Sequence, residues 1–125
     1  MKKVIQTEKA PKPVGPYSQA VKVDKLLFVS GQVAIDPAKA KIVAKGIRAQ
    51  TVRVMENIKA ILQAAGYSLS DVVQSNVYLS SMGLFSEFND EYAKYFVEYS
   101  PARATVGIEL MPSALVEISV VAYKD

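Results

Sequence analysis

Few residues of this chain can do chemistry, and the two that matter most lie toward its C-terminal end. Arg103 stands just inside an apolar, β-prone segment, Ser100-Pro101-Ala102-Arg103-Ala104-Thr105-Val106, behind a proline that bars helix continuation. A guanidinium stays charged and offers a planar fork of donors, so its natural partner is a carboxylate, from the protein or from a ligand. Glu117, in the apolar stretch from Leu115 to Tyr123, is the nearby candidate in such a setting. A cation and an anion on half-buried strands form either a structural ion pair or the two poles of a small-molecule site. Desolvating a pair that apolar residues could replace weighs against the first reading.

The absences narrow the chemistry further. The 125 residues include no cysteine and no histidine, which excludes a disulfide, a Cys/His zinc site, a cysteine nucleophile and a Ser-His-Asp triad. Fifteen Lys and Arg against twelve Asp and Glu give a net charge of +3, with the positive groups scattered rather than gathered in a basic run. No aromatic-basic stripe appears, so nucleic acid is not an expected partner. No apolar leader follows the first residues and no segment reaches bilayer length, which reads as a soluble cytoplasmic protein with no membrane partner.

These side chains need a scaffold, and half of the residues are hydrophobic, enough for one domain spanning 1–125. Met1 to Ile5 reads as a short strand, Pro16 to Val21 as a strand opened by proline, and Leu26 to Ser30 as an apolar strand ending at Gly31. Ile42-Val43 reads as a brief strand. Ile47, Thr51, Val54, Met55, Ile58, Ile61, Leu62 and Ala65 recur at helical spacing, with Gly66 as the C-terminal cap. Val72 to Leu79 is β-branched and reads as a strand. Ser80-Ser81 offers an N-cap to a second helix lined by Phe85, Phe88, Tyr92, Tyr95, Phe96 and Tyr99, which Pro101 ends. Strands 102–110 and 115–123, joined by Met111-Pro112-Ser113-Ala114, form a final pair. The order implies an α+β fold, a mixed sheet with two helices on one face. Several strands are apolar on both parities, so the other face is expected to pack against copies of the same chain.

Further site candidates each carry an ordinary structural reading. Alternation places Arg103 and Thr105 on one face of their strand. Asn89 lies on the aromatic helical stripe, where a buried amide is satisfied most simply by the backbone of a neighbouring loop. Tyr17 after Gly15-Pro16 and Ser30 before Gly31 suit turns. Gly31 allows close backbone approach or a turn where a side chain would clash. The aromatic stripe reads as core rather than as a platform for bases.

In order along the chain, Gly15-Pro16-Tyr17-Ser18-Gln19, Val29-Ser30-Gly31-Gln32, Asn57 to Gly66, Phe88-Asn89-Asp90-Glu91-Tyr92, Pro101-Ala102-Arg103 and Val116-Glu117-Ile118 resemble the Rid, or YjgF-like, enamine/imine deaminases. The resemblance covers essentially the whole chain. It implies the chorismate-mutase-like fold, a homotrimer with sites between subunits, and no metal or organic cofactor. The implied reaction is hydrolysis of 2-iminopropanoate and 2-iminobutanoate to 2-keto acids and ammonia. Arg103 is then expected to hold the substrate carboxylate and Glu117 to position or deprotonate the attacking water. Tyr17, Ser30, Gly31, Asn89 and Thr105 are expected to shape the cleft. Thr105 stands where some members have cysteine, and the turn at 111–114 is shorter than in many relatives. The resemblance leaves two other readings: a non-catalytic regulatory protein binding small carboxylates, and an RNA-binding translation inhibitor or endoribonuclease.

Overall fold

Strands in the computed structural model, which describes residues 1–125, form where β-branched and aromatic residues concentrate. They are β1 (Lys2–Ile5), β2 (Ala20–Val23), β3 (Leu26–Gln32), β4 (Ile35–Asp36), β5 (Lys41–Ile42), β6 (Val72–Leu79), β7 (Ala102–Gly107) and β8 (Val116–Tyr123). Six of them make one mixed sheet in the order β1-β2-β3-β8-β6-β7, and β4 with β5 makes a separate two-stranded ribbon. Every pairing in the sheet is antiparallel except that of β6 with β7. Helix α1 (Gly46–Ala64) and helix α2 (Phe85–Tyr92) pack together against the sheet, giving the α+β architecture expected from the sequence.

The apolar periodicity of α1 buries Ile47, Thr51, Val54, Met55, Ile58, Ile61 and Leu62 as read from the sequence, and with them two amides, Gln50 and Asn57. Its end is fixed by Gly66, whose φ of +82° lets the chain turn back. The Tyr67 and Gly66 amides donate to Leu62 and Gln63 carbonyls at 2.9 and 3.0 Å, which satisfies the last turn. Against this face lie Val77 and Leu79 of β6 and Val116, Ile118, Val120 and Ala122 of β8, all essentially inaccessible.

Cross-strand register sorts the sheet into rows. Ala20, Val29, Val120 and Ser75 form one row on the helix side, and Arg103 closes it at the β7 edge. On the opposite side, Val4, Val21, Phe28 and Val121 form a second row with no layer over it. Phe28 is 45% exposed there and Val4 54%. That row is apolar and uncovered within the chain.

Four expectations are corrected. Strands 102–110 and 115–123 are not a pair, because β6 lies between β7 and β8 and pairs with both. A turn between them gave no warning, since strand adjacency depends on partners elsewhere. The second helix stops at Tyr92, well before Pro101: Ala93 to Tyr95 continue only as turn, although Tyr92 and Phe96 still stack with centroids 4.9 Å apart. Ser81 caps a single 3₁₀ turn at Met82–Leu84, accepting from the Gly83 amide at 3.2 Å. The segment from Pro16 is loop until Ala20, where β2 begins.

Candidate functional site

The Arg103 side chain lies on the helix side of the edge strand, over α2. Its guanidinium sits 4.9 Å from the Tyr92 ring centroid and 5.5 Å from that of Phe85, an arrangement that holds a cation over π faces. One guanidinium nitrogen donates to Asn89 Oδ1 at 2.8 Å. Asn89 therefore serves the arginine and not a loop backbone, which corrects its expected partner: the stripe of α2 faces the β7 edge. No carboxylate of the chain pairs with Arg103, and its remaining donors border a cavity of about 450 Å³ lined in part by Asn89, Tyr92, Phe96 and Pro101.

Behind the guanidinium, Ser75 Oγ, Tyr92 OH and Thr105 Oγ1 are buried without a hydrogen-bond partner. Ser75 is the register neighbour of Arg103, and Thr105 lies two residues on along the same face. Burial raises the pKa of the Tyr92 hydroxyl, opposed by weaker effects of nearby Ser75 and Arg103.

Glu117 belongs to a different surface. It pairs in register with Tyr78, which pairs in turn with Val106, on the uncovered side of the sheet. Its carboxylate lies against Gly31, where β3 departs from regular pairing with β8 between Val29 and Gln32. A Cβ on Gly31 would stand 3.0 Å from the Glu117 carboxyl carbon and closer still to Oε2. Gly31 is thus required for close approach, one of the two roles its position suggested.

Around this carboxylate the loops are tied down. Ser30 Oγ donates to the Ser18 carbonyl at 2.6 Å and the Ser30 amide to the Gln19 carbonyl at 2.9 Å. Tyr17, 49% exposed, accepts at its hydroxyl from the Val14 amide at 3.3 Å and lines a small cleft together with Gly31. The Gln19 side chain, buried, bonds Thr7 N–H and the carbonyls of Thr7, Ala10 and Pro11. Asn57 donates to the carbonyls of Val33 and Ile35. Sequence reading missed these two amides as organisers and missed Gln50. For Gln50 and Asn57 the available signal was a polar side chain within a largely apolar helical stripe; Gln19, in a loop, carried none.

The seven candidates thus fall into two groups: Arg103, Asn89 and Thr105 on the helix side at the edge, and Tyr17, Ser30, Gly31 and Glu117 toward the other side. Two strand spacings and three residues of rise separate the Cα atoms of Arg103 and Glu117 by roughly 14 Å. The expected alternative of an intrachain ion pair is not formed.

A mixed sheet backed by two helices, carrying a free arginine at one edge and a carboxylate cradled on glycine, defines an α+β protein of the YjgF-like class. The chain belongs to the Rid family: the family model described as endoribonuclease L-PSP matches residues 7–124. It is 55% identical over 126 residues to a RutC family protein of Saccharolobus solfataricus, covering 100% of both chains. It is 41% identical to the 2-iminobutanoate/2-iminopropanoate deaminase of Bos taurus, over 99% of this chain and 91% of the bovine one. The crystal structure of RidA from an Antarctic Psychrobacter superposes with a TM-score of 0.93 at 44% identity, covering 98% of this chain and 99% of that one.

Proposed function

We propose that this protein hydrolyses short 2-imino acids to 2-keto acids and ammonia, without a cofactor, at sites assembled between copies of the chain in a homotrimer. The observation that carries the reading is the unneutralised fork of Arg103 facing a cavity large enough for a small acid. Asn89 takes one of its donors and leaves others for a carboxylate, which two parallel N–H···O bonds hold in one orientation. The activity borne by the bovine relative's name fits this arrangement.

In this reading the substrate carboxylate docks on Arg103, with Asn89 and the backbone around Thr105 setting its orientation. Glu117 of a neighbouring copy accepts a proton from water as the oxygen attacks the imine carbon. That proton passes to the nitrogen, giving a neutral amino alcohol. Glu117 then takes the hydroxyl proton and hands it to the same nitrogen as the C–N bond breaks, so that ammonia leaves and the oxygen becomes the keto group. Gly31 leaves room for the carboxylate, while Ser30 and Tyr17 shape the wall beside it. General base assistance of this kind contributes about 10²–10⁴-fold. Two features support assembly between copies. Arg103 and Glu117 face opposite sides of one sheet, and the row Val4, Val21, Phe28 and Val121 is apolar without a covering layer.

The test generates 2-iminobutanoate in situ from threonine with a dehydratase and traps it with semicarbazide. Added protein lowers the amount trapped if the reading holds. Unchanged trapping at micromolar protein overturns it.

A further inference from the structure

Gln50 is 3% exposed, on a helical face made mainly of apolar residues. An amide placed there is costly unless all its polar atoms are matched. It is matched by the turn that precedes Glu117. Gln50 Nε2 donates to the Ser113 carbonyl at 2.9 Å, and Gln50 Oε1 accepts from the Leu115 amide at 2.8 Å. The amide therefore grips two alternate residues of the chain, as a further strand would. A third, longer bond of 3.3 Å runs from Nε2 to the Ala44 carbonyl.

This grip falls on a strained stretch of backbone. Ser113 has φ +73°, a left-handed conformation that is strained for a side-chain-bearing residue. Leu115 is held from the other side as well, its carbonyl accepting from the Ser80 amide at 3.0 Å. Two residues further on, Glu117 lies against Gly31. Strand side chains alternate, so a shift of one residue would turn Glu117 toward the helices, and a smaller shift would lift it off the glycine.

We infer that Gln50 is a positioning residue: it sets the start of β8 so that the Glu117 carboxylate reaches its place over Gly31. Buried and bonded to backbone, it acts through Glu117 rather than on the substrate. The inference rests on the reading of Glu117 as the group that handles the attacking water. It also accounts for how a short turn at 111–114 delivers Glu117 in register.

The test is a double-mutant cycle with Gln50→Met and Glu117→Gln, each measured for turnover of 2-iminobutanoate and for binding of 2-oxobutanoate. Gln50→Met is expected to lower kcat roughly 10–100-fold, the scale of a misplaced reacting group, while KM and 2-oxobutanoate affinity per folded molecule stay unchanged. In the Glu117→Gln background the same change is expected to add nothing, because the two act as one unit. Gln50→Asn, which keeps the amide one carbon short, gives the same pattern should Gln50→Met not fold. An unchanged kcat per folded molecule, or an equal loss in both backgrounds, overturns the inference and leaves the function standing. A wild-type protein that turns over no imine overturns the functional reading itself.

Discussion

Arg103 and Glu117 stand on opposite faces of the same sheet, two strands apart, and share no contact. Arg103 closes the row Ala20, Val29, Val120, Ser75 on the helix side, whereas Glu117 rests on Gly31 on the side that no helix covers. A three- or four-carbon acid cannot span them within one chain. Each is proposed to be half of a site, and the uncovered face is where the missing half is proposed to arrive.

Gly31→Ala tests whether the cradle matters. The added methyl would overlap the Glu117 carboxylate, the mobile end of a side chain, so the carboxylate moves and the fold stays. Turnover of 2-iminobutanoate is expected to fall roughly 100-fold, with the melting midpoint little changed. Turnover that survives the methyl would place water activation elsewhere.

Arg103→Lys retains the charge and loses the fork. Lysine cannot bond Asn89 and present two parallel donors to a carboxylate at once, so binding of 2-oxobutanoate is expected to weaken by about 10–100-fold. Calorimetric titration measures this directly. Equal affinity would mean that the site needs a positive charge only.

Alkaline stability follows from Tyr95. Burial, together with a 3.0 Å hydrogen bond to Glu56 and that residue's charge, raises its pKa from 10.0 to about 12. The folded state then holds the proton over a range where the unfolded chain has released it. Stability from this group is complete below pH 10 and is lost as pH climbs from there through about 12. Chemical denaturation at a series of pH values is expected to show a shallower alkaline decline for Tyr95→Phe than for wild type; identical slopes would contradict the coupling.

Tyr92→Phe removes a buried hydroxyl that has no partner and keeps the ring beneath Arg103. Leaving such a group unsatisfied costs about 1–3 kcal/mol, so the variant is expected to be as stable as wild type or more so, with imine turnover retained. A strongly lowered melting midpoint would show that the hydroxyl is bonded in solution.

Much of the scaffold was legible because its signals are local. Val72 to Leu79 announces β6 by β-branched composition, and the apolar spacing from Ile47 to Leu62 with Gly66 behind it announces α1 and its end. Strand order was not legible, since nothing in Ala102–Gly107 or Val116–Tyr123 states that β6 runs between them. Tyr95, Phe96 and Tyr99 continue the aromatic spacing of α2 past its true end, where tertiary stacking of Phe96 on Tyr92 replaces helical hydrogen bonds. The site's residue types could be named from sequence, but which face each occupies depended on that strand order. The partners of Gln19, Gln50 and Asn57 were not legible because most are backbone atoms distant in sequence, for which residue spacing carries no sign.

The most direct test mixes two inactive chains. Arg103→Ala lacks the proposed carboxylate anchor and Glu117→Gln the proposed base, and each alone is expected to show little imine turnover. Refolded together in equal amounts, random assembly brings an intact Arg103 of one copy against an intact Glu117 of another in about a quarter of the sites, if sites form between copies. The expected result is recovery of about that fraction of wild-type activity. Activity no greater than that of the two parents mixed without refolding would contradict a site shared between copies.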